Sequence, residues 1–281
     1  MSRMKTRQWR VNDDQAGSTL QDFLSNALGV SRNRAKSLLD QRQVFINGRR
    51  IWMARHTVQR GDTIESPADA SAPSSETPPL RVLVNDPDFV IVDKPAGLAA
   101  NGPDSAETLL RDQLTAPDLR AAHRLDRDTS GCLLCARHEK AFDDLVEVFR
   151  AGRVLKLYHA LVVGRIQEKD RTIERPLENA PATTHLHVLD ANDTASHVRL
   201  KIDTGRTHQI RLHMLGIGHP ILGERNYGQR HVLPPEVRHV ERQMLHAQAI
   251  QFESPRTKKT IRGESPLPTD FKTWLKRLRL K

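Results

Sequence analysis

The stretch AHRLDRDTSGCLLCA, residues 122–136, joins a strongly charged segment to an apolar run. Asp126 and Asp128 stand among two arginines and a histidine, and the apolar run begins at Cys132. A short apolar run that follows a Thr-Ser-Gly cluster predicts a buried strand. The charged segment is then either a solvated turn before that strand or a reactive carboxylate held at the edge of the core.

As chemistry, the two acids could form the acid and nucleophile of a glycosidase. Carboxyl groups only two residues apart, however, rarely reach opposite sides of a scissile bond. A single carboxylate steadied by an arginine and by backbone N–H groups fits the segment better, because such contacts keep it ionised and oriented.

The 281 residues carry a net charge of +10, which favours a polyanionic partner, most commonly nucleic acid. A basic but otherwise ordinary protein has the same charge, so charge alone leaves the question open. No stretch approaches the roughly 20 apolar residues of a membrane span, and two cysteines do not make a disulfide framework. We therefore expect a soluble cytoplasmic protein with no membrane partner.

A segment rich in proline and serine divides the chain. SPADASAPSSETPP, residues 66–79, holds four prolines and no large apolar residue, as expected of an extended linker. The predicted organisation is a small module over 1–65, a linker over 66–79 and a larger domain over 80–281.

The small module is predicted to contain two helices and a hairpin. Apolar residues recur at helical spacing within 18–28, and Ser31 is placed to cap a second helix over 32–43. Asn47-Gly48 suits a type I′ hairpin turn.

Basic residues on the second helix and at the hairpin, Arg32, Lys36 and Arg49, could contact a phosphate backbone. A charged solvated face is the alternative. The order of residues over 18–64 resembles the S-four-type RNA-binding module, and this resemblance implies RNA.

The larger domain mixes strands and helices. Strands are predicted over 82–84, 89–92, 199–205 and 245–255, and an amphipathic helix over 138–152. Because the order lacks a regular βαβ rhythm, the expected fold class is α+β.

A second polar cluster, DTGRTHQIRLHMLGIGHPILGERNYG, spans residues 203–228. Thr207 is a candidate N-cap for a helix, Arg211 could pair with an acid such as Asp126, and Arg206 lies where a phosphate could bind.

The histidines of this cluster, His208 and His213, are five residues apart and would lie on different faces of a helix. With no third ligand in view they do not predict a metal site, and we expect both to make structural hydrogen bonds. The Cys132 and Cys135 pair also lacks a second ligand pair, so we expect two core residues. By itself, Tyr158 is expected to be a half-buried strand residue.

Taken in order, four motifs resemble the RluA-type pseudouridine synthases: HRLDRDTSG, KLYHALVVG, the 203–228 cluster and RQMLHA. The resemblance covers nearly all of 80–255. It implies an α+β domain with a long mixed, mostly antiparallel sheet and a central basic cleft. It also implies isomerisation of uridine in RNA to pseudouridine, with no metal or organic cofactor.

The resemblance assigns Asp126 as the catalytic acid, Tyr158 as the tyrosine that packs on the target base, and Arg211 as the partner of the acid. Arg124 matches the arginine that holds RNA where the uridine leaves its stack, and Asp128 is a spacer. Asp126 would either attack ribose C1′ or take the C2′ proton. The C5 proton would leave through Tyr158 or a water that it orients.

We expect a monomer. The ordered motifs indicate action on structured RNA, with large-subunit ribosomal RNA favoured over transfer RNA. A non-catalytic RNA-binding or ribosome-assembly protein and a base-excising hydrolase are the alternatives. Glu224 stands where the family usually has aspartate, and we expect it to affect loop packing and not chemistry.

Overall fold

The computed structural model describes residues 6–30, 32–40, 43–67, 79–227 and 233–281. The chain divides into two compact units, Met1–Pro79 and Leu80–Lys281. No helix within the described ranges is long and apolar enough to cross a membrane.

The first unit pairs two helices with a four-stranded antiparallel sheet of order β1-β4-β2-β3. Its elements are β1 (Thr6–Arg10), α1 (Leu20–Leu28), α2 (Arg32–Asp40), β2 (Phe45–Ile46), β3 (Arg49–Arg50) and β4 (Thr63–Pro67).

Local sequence signals explain these elements. The Thr19 hydroxyl accepts the first-turn N–H of Asp22, and Gly29 ends α1 in the left-handed region. Asn47 and Gly48 both have positive φ, as the predicted type I′ turn requires. Ser31, the predicted cap of α2, lies outside the described residues.

The last strand of the first unit extends two residues into the predicted linker. Strand β4 continues to Pro67 because β1 pairs along its whole length, with Arg7 opposite Ser66 and Thr6 opposite Pro67. The rest of the predicted linker, residues 68–78, lies outside the described residues.

Within its described residues, the second unit is built on one large sheet with four α-helices. Its strands are β5 (Arg81–Asn85), β6 (Phe89–Lys94), β7 (Arg120–Ala121), β8 (Ser130–Ala136), β9 (Leu155–Val163), β10 (Asp170–Glu174), β11 (Thr183–Ala191), β12 (Ala195–Ile202), β13 (Leu245–Glu253) and β14 (Thr260–Glu264). Its helices are α3 (Ala106–Gln113), α4 (Glu139–Arg150), α5 (Gln209–Gly216) and α6 (Thr269–Arg277).

The strand order is β10-β11-β12-β9-β13-β8-β6-β5, with β14 added to β13 and β7 to β8. Every pairing is antiparallel except that of β8 with β13. The prediction of an α+β fold with a long mixed, mostly antiparallel sheet is confirmed. The parallel pair lies in the middle of the sheet. The charged segment of residues 122–129 leads directly into β8, one of the two strands of this pair.

Strand β8 is buried along its whole length and contributes to two separate cores. Leu133 and Cys135 pack with α3 and α5 on one face, whereas Cys132 and Leu134 pack with α4 on the other. The two cysteines are therefore core residues, as predicted, and their thiols point to opposite faces. Burial raises the pKa of Cys132 to about 12.

Candidate active site

The charged segment is anchored to β8 by the residues that precede Asp126. The Leu134 N–H donates to His123 Nε2 at 3.1 Å, and the Ala122 N–H donates to the Leu134 carbonyl at 2.9 Å. The Thr129 N–H then closes a turn on the carbonyl of Asp126 at 3.0 Å. These bonds fix the backbone on both sides of the carboxylate.

A buried lysine holds the neighbouring loop against this turn. Lys94 Nζ donates to the carbonyls of Pro95, Leu98 and Arg127, at 2.9, 2.7 and 3.1 Å. Burial lowers the pKa of Lys94 to about 7. The loop that follows β6 is thus tied to the residue after Asp126.

Arg211 reaches Asp126 from helix α5. Its Nη1 lies 3.0 Å from Asp126 Oδ2, which is the pairing that the sequence resemblance implied. The guanidinium is almost fully buried and the carboxylate is 17 % exposed. The predicted N-cap, Thr207, is wrong: α5 begins at Gln209, and His208 occupies the cap position without a side-chain capping bond.

Glu224 binds the other edge of the Arg211 guanidinium. Its two carboxylate oxygens accept from Arg211 Nε and Nη2 at 2.6 and 2.8 Å, and its side chain is 3 % exposed. Glu224 was expected to affect loop packing and not chemistry, and in the structure its side chain forms a bidentate pair with the arginine that holds Asp126.

His208 is a site residue that the sequence analysis missed. Its Nδ1 lies 2.7 Å from the Tyr227 hydroxyl, and its Nε2 lies 3.6 Å from Asp126 Oδ1. The prediction of structural hydrogen bonds is confirmed for both histidines, because His208 bonds Tyr227 and buried His213 bonds the Thr184 hydroxyl and the Arg175 carbonyl, each of the latter at 2.9 Å.

Tyr158 lies on β9 and is 7 % exposed, so it is more deeply buried than predicted from its strand alone. Burial, and secondarily the charge of Asp126, raise the pKa of the Tyr158 phenol well above its usual value. The side chain presents an aromatic surface to the same cleft as Asp126.

The cleft has a volume of about 780 Å³. Its lining includes Asp126, Tyr158, His208 and Arg211 together with the basic residues Arg124, Arg150, Lys156 and Arg206. Arg124 and Arg206 are exposed, and Arg206 Nε donates to the Pro181 carbonyl at 3.2 Å. Two carboxylates, those of Asp126 and Asp203, therefore share an open, partly aromatic cavity with several cations, an arrangement suited to a polyanionic substrate.

Asp128 lies in the same turn but does not join this arrangement, since its contact is made through its backbone carbonyl, which accepts from Arg242 Nη1 at 3.1 Å. Among the residues the structure describes, no group of three or more His, Cys, Asp or Glu side chains could hold a metal ion.

The three predicted contacts of the first unit lie on its surface. Arg32 and Lys36 are exposed on α2, and Arg49 is exposed on β3. Arg32 Nε also lies 3.0 Å from Asp22 Oδ1 in an exposed ion pair, so this arginine has a partner already.

Comparison with known proteins agrees with this geometry. Residues 88–215 match the RNA pseudouridylate synthase family, and residues 19–64 match the S4 domain. The ribosomal large subunit pseudouridine synthase D of Nitrosomonas europaea is 33 % identical, over 96 % of this chain and 87 % of that protein. The protein of the same name from Pseudomonas aeruginosa is 32 % identical, over 87 % and 86 %.

Solved structures show the same fold. Human RNA pseudouridylate synthase domain containing 1 superposes with a TM-score of 0.56 at 27 % identity, over 72 % of this chain and 95 % of that one. The fold and the cleft define an RNA-modifying isomerase with an appended S4 domain. The chain belongs to the RNA pseudouridine synthase family, and its reaction is the isomerisation of uridine in RNA to pseudouridine.

Proposed function

We propose that Asp126 is the catalytic carboxylate of this isomerase and that its target uridine lies in large-subunit ribosomal RNA. The single observation that carries the first part is the 3.0 Å pair between Asp126 and buried Arg211 at the floor of a basic cleft. The relatives named as ribosomal large subunit enzymes support the second part.

Arg211 orients Asp126 and balances its charge, while Tyr158 packs on the uracil. A uridine within RNA structure must leave its stack before its glycosidic bond can be reached, at a cost of a few kcal/mol. The exposed guanidinium of Arg124 holds the RNA where that uridine leaves, and Arg206 binds a neighbouring phosphate.

The carboxylate of Asp126 begins the reaction at the ribose, by attack on C1′ or by removal of the C2′ proton. Uracil is released as a bound anion, rotates, and forms its new bond from C5 to C1′. Because Tyr158 and the cleft walls hold the detached base beside the sugar, recombination is faster than loss of the base.

The first unit contributes binding through Arg32, Lys36 and Arg49, with residues 80–281 forming the catalytic unit. The enzyme acts as a cytoplasmic monomer. Replacing these three residues by glutamine should lower the salt slope of RNA binding by roughly 0.7 to 0.9 for each lost phosphate contact. An unchanged slope would contradict this role.

The target is tested by mapping pseudouridine across total RNA from cells with and without this gene. We expect a defined uridine in large-subunit ribosomal RNA to lose its modification in the deletion strain and to regain it on complementation. A site lost only from transfer RNA would contradict the proposed target.

A further inference from the structure

His208 occupies a strained position at the start of α5. Its φ of 53° places a non-glycine residue in the left-handed region, a conformation that residues with a side chain rarely adopt. That conformation directs the imidazole into the cleft, where it contributes to the lining beside Asp126.

The far side of the His208 ring is held by a second fixed side chain. Tyr227 places its hydroxyl 2.7 Å from His208 Nδ1, and the two rings meet edge to face at 5.6 Å between centroids. The Tyr227 N–H donates to Glu224 Oε1 at 3.3 Å, and the Arg211 guanidinium lies 5.0 Å from the centre of its ring. Glu224, which holds Arg211, therefore also holds Tyr227, the partner of His208.

The near side of the ring faces the reacting carboxylate. At 3.6 Å from Asp126 Oδ1, His208 Nε2 is beyond hydrogen-bond length but close enough for strong electrostatic contact. The tautomer that donates from Nδ1 to the Tyr227 oxygen leaves the lone pair of Nε2 on the side of the ring that faces Asp126 and the cleft. This is the arrangement of a general base with an orienting partner behind it.

The isomerisation needs such a base after the new carbon–carbon bond forms. At that point C5 carries both C1′ and its original hydrogen, and that hydrogen must leave as a proton. Tyr158 is poorly suited to accept it, since burial stabilises the neutral phenol, and a phenol that keeps its proton is a weak base.

We propose that His208 Nε2 removes the C5 proton, with Tyr227 orienting the ring. The electron pair of the C5–H bond restores the C5=C6 double bond, and the proton passes to Nε2 and then to water. N1, which left the sugar with its bonding pair, takes a proton from water, so the reaction remains an isomerisation. This assignment rests on the proposed role of Asp126 as the carboxylate that breaks the glycosidic bond.

The experiment is a single-turnover assay of the full-length enzyme on a transcript of its mapped target, made with either ordinary uridine or uridine carrying deuterium at C5. The variants are His208→Gln, Tyr227→Phe, Tyr158→Phe and Asp126→Asn. The matched control is His187→Gln. It changes a histidine on strand β11 whose Nδ1 lies 2.6 Å from Asp170 Oδ1 on strand β10.

We expect the His208→Gln enzyme to bind the transcript as the wild type does but to react about 100-fold more slowly, with a primary isotope effect that the wild type lacks. Tyr227→Phe keeps the ring beside Arg211 and removes the hydroxyl. Its rate should therefore fall less than that of His208→Gln, and its isotope effect should be smaller. The control should match the wild type in rate and isotope effect.

A His208→Gln enzyme that keeps its rate, or slows without an isotope effect, would overturn the role of His208. An isotope effect of similar size in Tyr158→Phe but absent from His208→Gln would return the step to the tyrosine. Either result combined with an inactive Asp126→Asn enzyme leaves the proposed role of Asp126 standing, whereas an active Asp126→Asn enzyme overturns that role.

Discussion

Glu224 accepts two hydrogen bonds from Arg211, at 2.6 and 2.8 Å, in a pair that is almost completely buried. The third nitrogen of the same guanidinium donates to Asp126. Arg211 is therefore shared between a carboxylate that fixes it and a carboxylate placed for chemistry, and its own position is set by the former.

Loss of the Glu224 charge should affect both stability and rate. Glu224→Gln leaves buried Arg211 with Asp126 as its remaining charged partner, and the loss of one partner from a buried ion pair costs up to about 3–5 kcal/mol of the free energy of unfolding. The remaining enzyme should have a lower kcat because Arg211 no longer holds Asp126 in one orientation. Urea unfolding and single-turnover rates measure the two effects.

The matched control for this substitution is Asp193→Asn, which removes an exposed carboxylate 3.0 Å from Arg165. A surface pair of this kind should contribute no more than about 1 kcal/mol. If Glu224→Gln were no more damaging than Asp193→Asn, the bidentate pair would not be what positions Arg211.

Gly131 should not tolerate a side chain. It lies at the parallel pairing of β8 with β13 with a φ of +111°, and a Cβ there would fall 2.1 Å from the Ala247 carbonyl oxygen. Gly131→Ala must push the two central strands apart, so we expect a loss of several kcal/mol in the free energy of unfolding, measured by urea denaturation.

The control is Gly102→Ala, where φ is +90° and no atom lies within 4 Å of the added Cβ. Only backbone strain applies at residue 102, so the free energy of unfolding should fall by about 1–3 kcal/mol. Equal losses at the two positions would show that the close approach of the strands is not what requires glycine at 131.

His123 should make the catalytic unit sensitive to acid. Burial first, and the nearby charge of Lys156 second, lower the pKa of His123 to about 4, and its Nε2 accepts the N–H of Leu134 only when neutral. Between its ordinary value near 6.5 and about 4, the unfolded chain binds a proton that the folded chain does not. The free energy of unfolding therefore falls as the pH drops through this window.

We expect His123→Gln to abolish part of this fall in the free energy of unfolding at low pH. The amide oxygen of glutamine can accept the Leu134 N–H without titrating. Comparing urea unfolding at about pH 7.5 and about pH 5, the wild type should lose about 1–2 kcal/mol more than the variant. His159, whose pKa burial also lowers to about 4, keeps some acid sensitivity in both proteins. Identical pH dependence in the two proteins would contradict the role of His123.

Much of this fold could be predicted from sequence because its signals are local. The type I′ turn at Asn47-Gly48, the buried strand of β8 and the amphipathic α4 each follow from residue spacing and turn chemistry. The order of the strands within the sheet could not, since pairing between distant strands leaves no trace in local periodicity.

The site was predictable only in part. Arg211 and Asp126 were identified through motifs, but Glu224 and Tyr227 lie on a loop whose position depends on the tertiary fold. His208 was assigned to a regular helix, and its left-handed backbone, which turns the ring into the cleft, cannot be predicted from spacing. One signal was available: Tyr227 is one of only two tyrosines in the chain.

The central claim is tested most directly by Asp126→Asn on a transcript that holds the mapped target uridine. Asparagine keeps the size of the side chain and the oxygen that faces Arg211, but it can neither attack C1′ nor accept a proton. We expect the variant to bind the transcript and to form no pseudouridine in a time that gives the wild-type enzyme complete conversion. Conversion by the variant at a rate near that of the wild type would contradict the assignment of Asp126 as the catalytic carboxylate.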